Sequence, residues 1–272
     1  MQVMIIDALN LIRRIYAAQE RPYLPLPNDV SDSTRQQIIH NTIAAIEQAI
    51  KKLLITINPS HGIVVFDAPG ESWRHQIYPQ YKAGRQPMPI ILADGMAHIK
   101  QAISNTGLTI HQQPAQEADD LIGALAIKVQ DNQHQSTIVS TDKGFLQLLS
   151  DDIEVYDYFA RKYLTEKYIE EKFGVNSQQL INYWSLVGDS SNNIPGLPGV
   201  GPKAALDILL KHPSMKAALD SEVLTKKLRE KLHNNLETFK LCRQLVAIKS
   251  DIQLGLNLKD IRLPKKENTL SP

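Results

Sequence analysis

Cysteine is almost absent from this chain of 272 residues, where Cys242 is the only one. A single cysteine excludes an internal disulfide framework and fits a reducing compartment. Charge of one sign is just as scarce: 30 Lys and Arg stand against 29 Asp and Glu, for a net charge of +1. Any basic surface must therefore come from local clustering, since total charge does not provide it. No apolar run reaches the roughly 20 residues of a membrane span. The opening MQVMIID carries no basic stretch and no small-residue cleavage site, so the cytoplasm is the expected address. The 8 histidines show no spacing suited to a metal, which argues against a zinc centre.

What the chain does have is 43% hydrophobic residues, enough for one large core or a core with an attached subdomain. Short apolar, β-branched runs occur at 3–7 (VMIID), 62–67 (GIVVFD), 108–111 (LTIH), 136–142 (STIVSTD) and 153–157 (IEVYD). They alternate with helical patterns near 9–19, 35–54, 90–105, 117–130 and 143–149. That alternation predicts an α/β fold with a parallel sheet covered on both faces. Three prolines within 20–34 predict an exposed loop. Beyond about residue 160 strand signals stop and a helical pattern continues to 250, with ten Lys or Arg against five acids over 199–250. The expected organisation is an α/β domain over 1–160, a helical subdomain over 161–255 and a partly disordered extension over 256–272. Tyr183, Trp184 and Cys242 are expected in the core.

Four of the five strand patterns end in an aspartate, and three of these, Asp7, Asp67 and Asp142, join Glu117, Asp119 and Asp120, which QEADDLIGALA crowds in front of an apolar run, as candidate ligands. In open parallel sheets, sites form at the carboxyl ends of strands, so these six acids are expected to converge there. One strand-end aspartate is more often a turn former or helix N-cap than a ligand, but six caps on one rim would be unusual. A helix dipole favours such acids by only about 0.3–1 kcal/mol, too little to hold three together. An oxygen-only donor set suits Mg2+ or Mn2+ rather than zinc. Further on, Gly199-Val200-Gly201 precedes a helix opening at Pro202, a turn whose free amides suit a phosphate.

IIDALNLIRR, VVFDAPGESWRHQIYPQYKAGRQPMP, EADD, STDKGFLQLL and LVGDSSNNIPGLPGVGPKAA follow one another over residues 3–250. In order and spacing they resemble the bacterial and phage 5′ nucleases, the flap endonucleases, and most of all the exonuclease IX (Xni-type) subfamily. The resemblance implies a resolvase- or PIN-like α/β domain with a helical arch, here short and near 74–100, with Ile90, Ile91 and Leu92 packed on the body. It also implies a helix-three-turn-helix subdomain with its hairpin at 195–204, and Mg2+-dependent phosphodiester hydrolysis at 5′ flap junctions in DNA.

Carried over by position, Asp7, Asp67, Glu117, Asp119, Asp120 and Asp142 would be catalytic acids grouped around a first metal. Lys82 and Arg85 would face the scissile phosphate, with Arg74 a DNA contact upstream. Gly199, Val200, Gly201, Pro202, Lys203 and Ala204 would hold backbone phosphate, and the main-chain carbonyls of Leu186, Val187, Pro195, Leu197 and Val200 would hold a potassium ion. The sequence departs from the family pattern at Gly144 and Asn192, where acids are usual, while Asp189 remains; one full metal site and a depleted second are expected. Two other readings stay open: a DNA-junction binding protein without turnover, suggested by Gly144 and Asn192, and a PIN-like ribonuclease, which would have no use for the hairpin.

Overall fold

Successive residues of β1 (Gln2–Asp7) point to opposite sides of a sheet, and Val3, Met4, Ile5 and Ile6 are all fully buried. Val3 and Ile5 join one apolar cluster and Met4 and Ile6 the other, so this strand is covered on both faces. The structure is a computed structural model that describes residues 1–264 apart from Asn28 and Pro213.

Five further strands, β2 (His61–Val65), β3 (Thr109–His111), β4 (Gln135–Val139), β5 (Ile153–Asp157) and β6 (Lys162–Leu164), complete a sheet of order β3-β2-β1-β4-β5-β6. β1 to β5 are parallel and β6 pairs antiparallel with β5. One face carries α1 (Ala8–Glu20), α2 (Asp32–Ile57) and α4 (Ile90–Asn105). The other carries α5 (Ala118–Asp131) together with the helical C-terminal part: α7 (Leu180–Val187), α8 (Pro202–Lys211), α9 (Met215–Leu219), α10 (Lys226–Asn234) and α11 (Leu236–Val246). No helix among the described residues is long and apolar enough to cross a membrane. Strand order reverses at β1, whose neighbours are β2 and β4, and this switch point opens a crevice at the carboxyl ends of the strands.

Several expectations change. Strand signals do not end at 160, because Lys162–Leu164 adds an antiparallel edge whose short length and exposed Lys162 and Tyr163 hide its pattern. The 143–149 segment is a 3-10 turn over Lys143–Leu148, and 20–34 begins with one over Arg21–Tyr23. A five-residue helix, α3 (Trp73–Ile77), opens the segment expected to form the helical arch.

The segment expected to arch near 74–100 is fastened down. Tyr81 is buried with Ile194, Cys242 and Leu245, the Lys82 amide donates to the Asn192 carbonyl at 2.9 Å, and Asn193 Nδ2 donates to the Gln80 carbonyl at 2.7 Å. Only 83–87 form an exposed run. Ile91 and Leu92 pack on the body as expected, whereas Ile90 is 72% exposed.

The extension is also ordered as far as it is described. Ile261 is buried, Arg262 bridges to His61, and the Leu263 amide donates to the Ser60 carbonyl at 3.1 Å. Residues 265–272 of the expected disordered tail lie outside the described residues.

Candidate active site

Strand register brings the acids together. Asp7 closes β1 opposite Val65, so Asp67 follows two residues beyond the neighbouring strand. Ile6 pairs with Val139, which puts Ser140 beside Asp7, and the Ser140 hydroxyl donates to Asp7 Oδ2 at 2.8 Å. Each strand-end acid also caps something. Asp7 Oδ1 accepts from the Asn10 amide at the start of α1, Asp142 Oδ1 from the Gly144 amide at 2.7 Å, and Asp67 Oδ1 from the Ala118 amide of α5 at 3.0 Å. Capping thus occupies one oxygen of each carboxylate. The other oxygens of Asp67 and Asp142, and both of Asp119, take no hydrogen bond among the described residues.

The crowding in QEADD is resolved by cations of the chain itself. Arg74 of α3 is 2% exposed, and its guanidinium donates to Asp120 at 2.7 and 2.8 Å and to Glu117 at 3.0 Å. Its remaining bonds go to the carbonyls of Leu245 and Ala247. Asp120, fully buried, also accepts from Trp73 Nε1 and the Lys249 amide. Glu117 accepts from the Ser72 hydroxyl, Tyr81 and Lys82.

Three of the expected site residues are engaged inside the protein in this structure. Both oxygens of Asp120 are taken by Arg74, Trp73 and the Lys249 amide. Every guanidinium nitrogen of Arg74 is committed to protein acceptors, which leaves none for DNA here. Glu117 serves as the seat of Lys82, 3.2 Å from its Nζ, and its oxygens face protein donors. Successive helical residues point about 100° apart, so Asp119 turns away from the Glu117–Asp120 face toward the crevice.

Electrostatics separate the two groups of acids. Burial, opposed by Ser140 and reinforced by Asp67 and Asp142, pushes the Asp7 carboxyl up to about 7. Burial raises Asp119 well above the usual range, with Asp142, Asp7 and Asp67 adding to it and Lys82 opposing. For Glu117, burial would also raise the value, but Lys82, Arg74 and Ser72 outweigh it and hold it low. Asp7, Asp67, Asp119 and Asp142 thus share one repulsive field, in which Asp67, Asp119 and Asp142 keep free oxygens, a donor set that suits a hard divalent cation. No three His, Cys, Asp or Glu side chains among the described residues stand close enough to form a finished cage. A Mg2+ shell is completed largely by water and takes only one or two carboxylates directly, so it does not require such a cage.

Asp119 and Asp142 line a cavity of about 460 Å3 with Arg85, Lys143, Gly144, Asp189 and Asn192. Arg85 donates to Asn192 Oδ1 at 2.6 Å and to the Ser191 carbonyl. Asp189 is bonded within its own turn, accepting from the Ser191 amide and hydroxyl and from Asn192 Nδ2. The side of the cavity at Gly144 and Asn192 is therefore poor in free carboxylates.

The hairpin follows directly. An added Cβ on Gly196 would lie 2.7 Å from the Leu186 carbonyl oxygen, and one on Gly188 2.5 Å from that of Ile194, so the end of α7 and residues 194–197 touch backbone to backbone. Both glycines have positive φ, 84° and 67° for Gly188 and Gly196. Gly201, Pro202 and Lys203 are exposed at the start of α8, while the Val200 side chain is buried and only its backbone can face a ligand. Lys231 of α10 closes the loop by donating to the Gly199 carbonyl at 2.7 Å.

With this geometry, the 5′-3′ exonuclease N-terminal resolvase-like domain matches residues 2–174 and the 5′-3′ exonuclease C-terminal SAM fold matches residues 175–269. The chain belongs to the 5′-3′ exonuclease family. It is similar to the flap endonuclease Xni of Colwellia psychrerythraea, 44% identical over 265 residues, 96% of this chain and 91% of that protein. The flap endonuclease Xni of Aliivibrio fischeri strain ES114 is likewise 44% identical over 265 residues, 97% of each chain. Among solved structures, T5 5′-exonuclease with bound divalent metal ions (zinc) superposes with a TM-score of 0.74 at 20% identity, over 92% of this chain and 90% of that one. The bacteriophage T5 D15 flap endonuclease in a pseudo-enzyme-product complex with DNA and metal ions gives 0.72 at 20%, with the same coverage. This likeness concerns the fold, a resolvase-like domain followed by a SAM-like helical domain. The family division at 174 leaves β6 and α6 (Glu166–Phe173) on the N-terminal side.

Sequence reasoning missed the residues that position the acids. Ser140 orients Asp7, and Asn10 Oδ1 accepts from the amide and hydroxyl of Thr141, tying α1 to the end of β4. Short polar side chains beside strand-end acids were the available signal. Trp73 and Tyr81 left none, since their partners are 47 and 36 residues away.

Proposed function

We propose that this member of the 5′-3′ exonuclease family is a structure-selective 5′ nuclease that hydrolyses phosphodiester bonds at 5′ flap junctions in DNA, using Mg2+ or, in its place, Mn2+. The observation that carries this reading is the shared repulsive field of Asp7, Asp67, Asp119 and Asp142 at the switch point of the sheet, with Lys82 and Arg85 beside it. A divalent cation held there by these carboxylates would supply an activated water and would neutralise charge on the phosphoryl oxygens.

The chain's own groups do the rest. Ser140 and Asn10 fix Asp7, leaving its carboxylate no freedom to swing away from the crevice. Lys82, seated on Glu117, and Arg85, braced on Asn192, present positive charge to a phosphate that an acidic crevice would otherwise repel. Within Gly199–Ala204, the amides of Gly199, Gly201, Lys203 and Ala204, with the side chain of Lys203, anchor duplex backbone without reading sequence; Pro202 has no N–H and the Val200 amide is held by the Leu197 carbonyl. The carbonyls of Leu186, Val187, Pro195, Leu197 and Val200 would be the donors for K+, a reading supported by the Gly188–Gly196 contact, which brings the backbone of Leu186 and Val187 against that of Pro195. The carboxylate-poor side at Gly144 and Asn192 supports one metal site with any second ion held weakly.

The test is a labelled 5′ flap incubated with Mg2+, with Asp119→Asn and with single-stranded RNA in parallel. Metal-dependent cutting of the flap that the variant loses supports the reading. Binding without cutting would favour a junction-binding protein, suggested by Gly144 and Asn192, and preferred cutting of RNA would favour a ribonuclease.

A further inference from the structure

Tyr168 of α6 stands among three ammonium groups. The Nζ atoms of Lys143, Lys162 and Lys172 lie 5.2, 5.3 and 5.5 Å from the centre of its ring, and Lys172 also donates to its hydroxyl at 3.1 Å. The lysines come from three elements: the turn after β4, strand β6 and helix α6. Such gathering is not produced by local sequence.

None of the three is ion-paired with a carboxylate among the described residues, although Lys167 on the same helix pairs with Glu171 at 3.8 Å. Burial would raise the Tyr168 phenol, yet Lys172 and Lys143 outweigh it and hold it below its ordinary value. Converging like charges repel, and one aromatic ring offsets only part of that cost. An anion would offset the remainder.

Position indicates which anion. Lys143 directly follows Asp142, and Lys143 and Lys172 line the same cavity as Asp119, together with Phe173 and Trp184. A small free anion has little reason to settle beside carboxylates. A polyanionic strand already held at the crevice would bring successive phosphates past this wall.

We propose that Lys143, Lys162 and Lys172, gathered on Tyr168, form a subsite for a nucleic-acid backbone phosphate neighbouring the one at Asp119 and Asp142. The subsite rests on the nuclease reading. It supplies positive charge on the wall where Gly144 and Asn192 leave carboxylates few, and it positions the strand without reading its sequence. Tyr168 keeps the three lysine stems converged, which makes it a positioning residue.

The test measures binding of a fluorescent 5′ flap DNA by anisotropy in metal-free buffer over a series of KCl concentrations, with flap cleavage in Mg2+ assayed alongside. Variants are the triple Lys143→Ala, Lys162→Ala, Lys172→Ala, the single Lys143→Gln, and Lys167→Ala as control. Circular dichroism verifies that each is folded. Each lost phosphate contact should make the slope of log affinity against log salt shallower by about 0.7–0.9. The triple variant is expected to lose about 0.7–0.9 in slope, the worth of one phosphate contact, and the single variant a fraction of that, with Lys167→Ala unchanged. A wild-type slope in the triple variant, with the wild-type protein cutting the flap, would overturn the subsite and leave the nuclease reading intact. An equal slope change in Lys167→Ala would also overturn it. Wild-type protein that neither binds nor cuts would overturn both.

Discussion

Arg74 grips Asp120 in a two-pronged hydrogen bond, Nη1 to Oδ2 at 2.7 Å and Nη2 to Oδ1 at 2.8 Å, with neither side chain more than 3% exposed. This pair fastens α3 to α5 and, through the Leu245 and Ala247 carbonyls, to the end of α11. Removing one partner leaves a buried charge uncompensated, at a cost of about 3–5 kcal/mol. Arg74→Ala should therefore lower unfolding free energy by that amount in urea denaturation. Asp119→Asn should not. Equal stability of Arg74→Ala and wild type would contradict the structural role assigned to the pair.

The raised carboxyls make a pH prediction. In an unfolded chain an aspartate ionises near 3.9, whereas Asp7 in the fold is pushed up to about 7. The folded state therefore holds this proton more tightly. The contribution is fully present below the unfolded value and is lost as pH rises through about 7. Asp119 acts in the same direction. Glu117 acts in the opposite one, contributing above the ordinary glutamate range and failing as pH falls through its lowered value. Metal-free protein should lose more thermal stability than Asp7→Asn between about pH 5 and about pH 8, and Mg2+ should raise Tm more at the higher pH. A Mg2+ effect that is the same at both pH values would contradict the account.

The sheet and its acids were largely legible in the sequence because buried parallel strands read as apolar runs, and Asp7, Asp67 and Asp142 stand where three such runs stop. The family resemblance carried the rest of the site. Less legible was which acid of the EADD cluster faces the crevice. Charge alone does not distinguish Asp119 from Asp120, but the helical angle does, because Asp120 shares its face with Glu117. The seating of 78–82 on the helical part could not be read either. It depends on Tyr81 meeting Ile194 and Cys242, contacts that span more than a hundred residues.

Two glycines of the hairpin should respond differently. A Cβ on Gly196 would run into backbone, and its φ of 67° disfavours any other residue. Gly196→Ala should cost about 2 kcal/mol or more of stability. Gly201 has nothing within 4 Å of an added Cβ. Gly201→Ala should fold normally and weaken DNA binding, because the methyl group faces only the space a phosphate would enter. Electrophoretic mobility shift and thermal melting together check both outcomes, and unchanged DNA binding by Gly201→Ala would count against the hairpin as anchor.

Lys82 holds a left-handed backbone, φ 56°, fixed by the hydrogen bond its backbone N–H donates to the Asn192 carbonyl. Glycine adopts that conformation freely, so Lys82→Gly removes the ammonium without straining the turn. Flap cleavage at saturating DNA should fall by about 10²-fold or more, as for loss of one preorganised donor, with a loss of stability smaller than that of Arg74→Ala, because Glu117 keeps Arg74. Undiminished turnover would remove Lys82 from the proposed machinery.

The central claim is that Asp7, Asp67, Asp119 and Asp142 form the seat of one divalent cation. Crystals soaked in Mn2+ and measured at the manganese edge test it directly. The account predicts a dominant anomalous peak within about 2.0–2.2 Å of a carboxylate oxygen of Asp119. It predicts that this peak disappears in Asp119→Asn. A peak confined to Asp189 and Asn192, or none near Asp119, would contradict it.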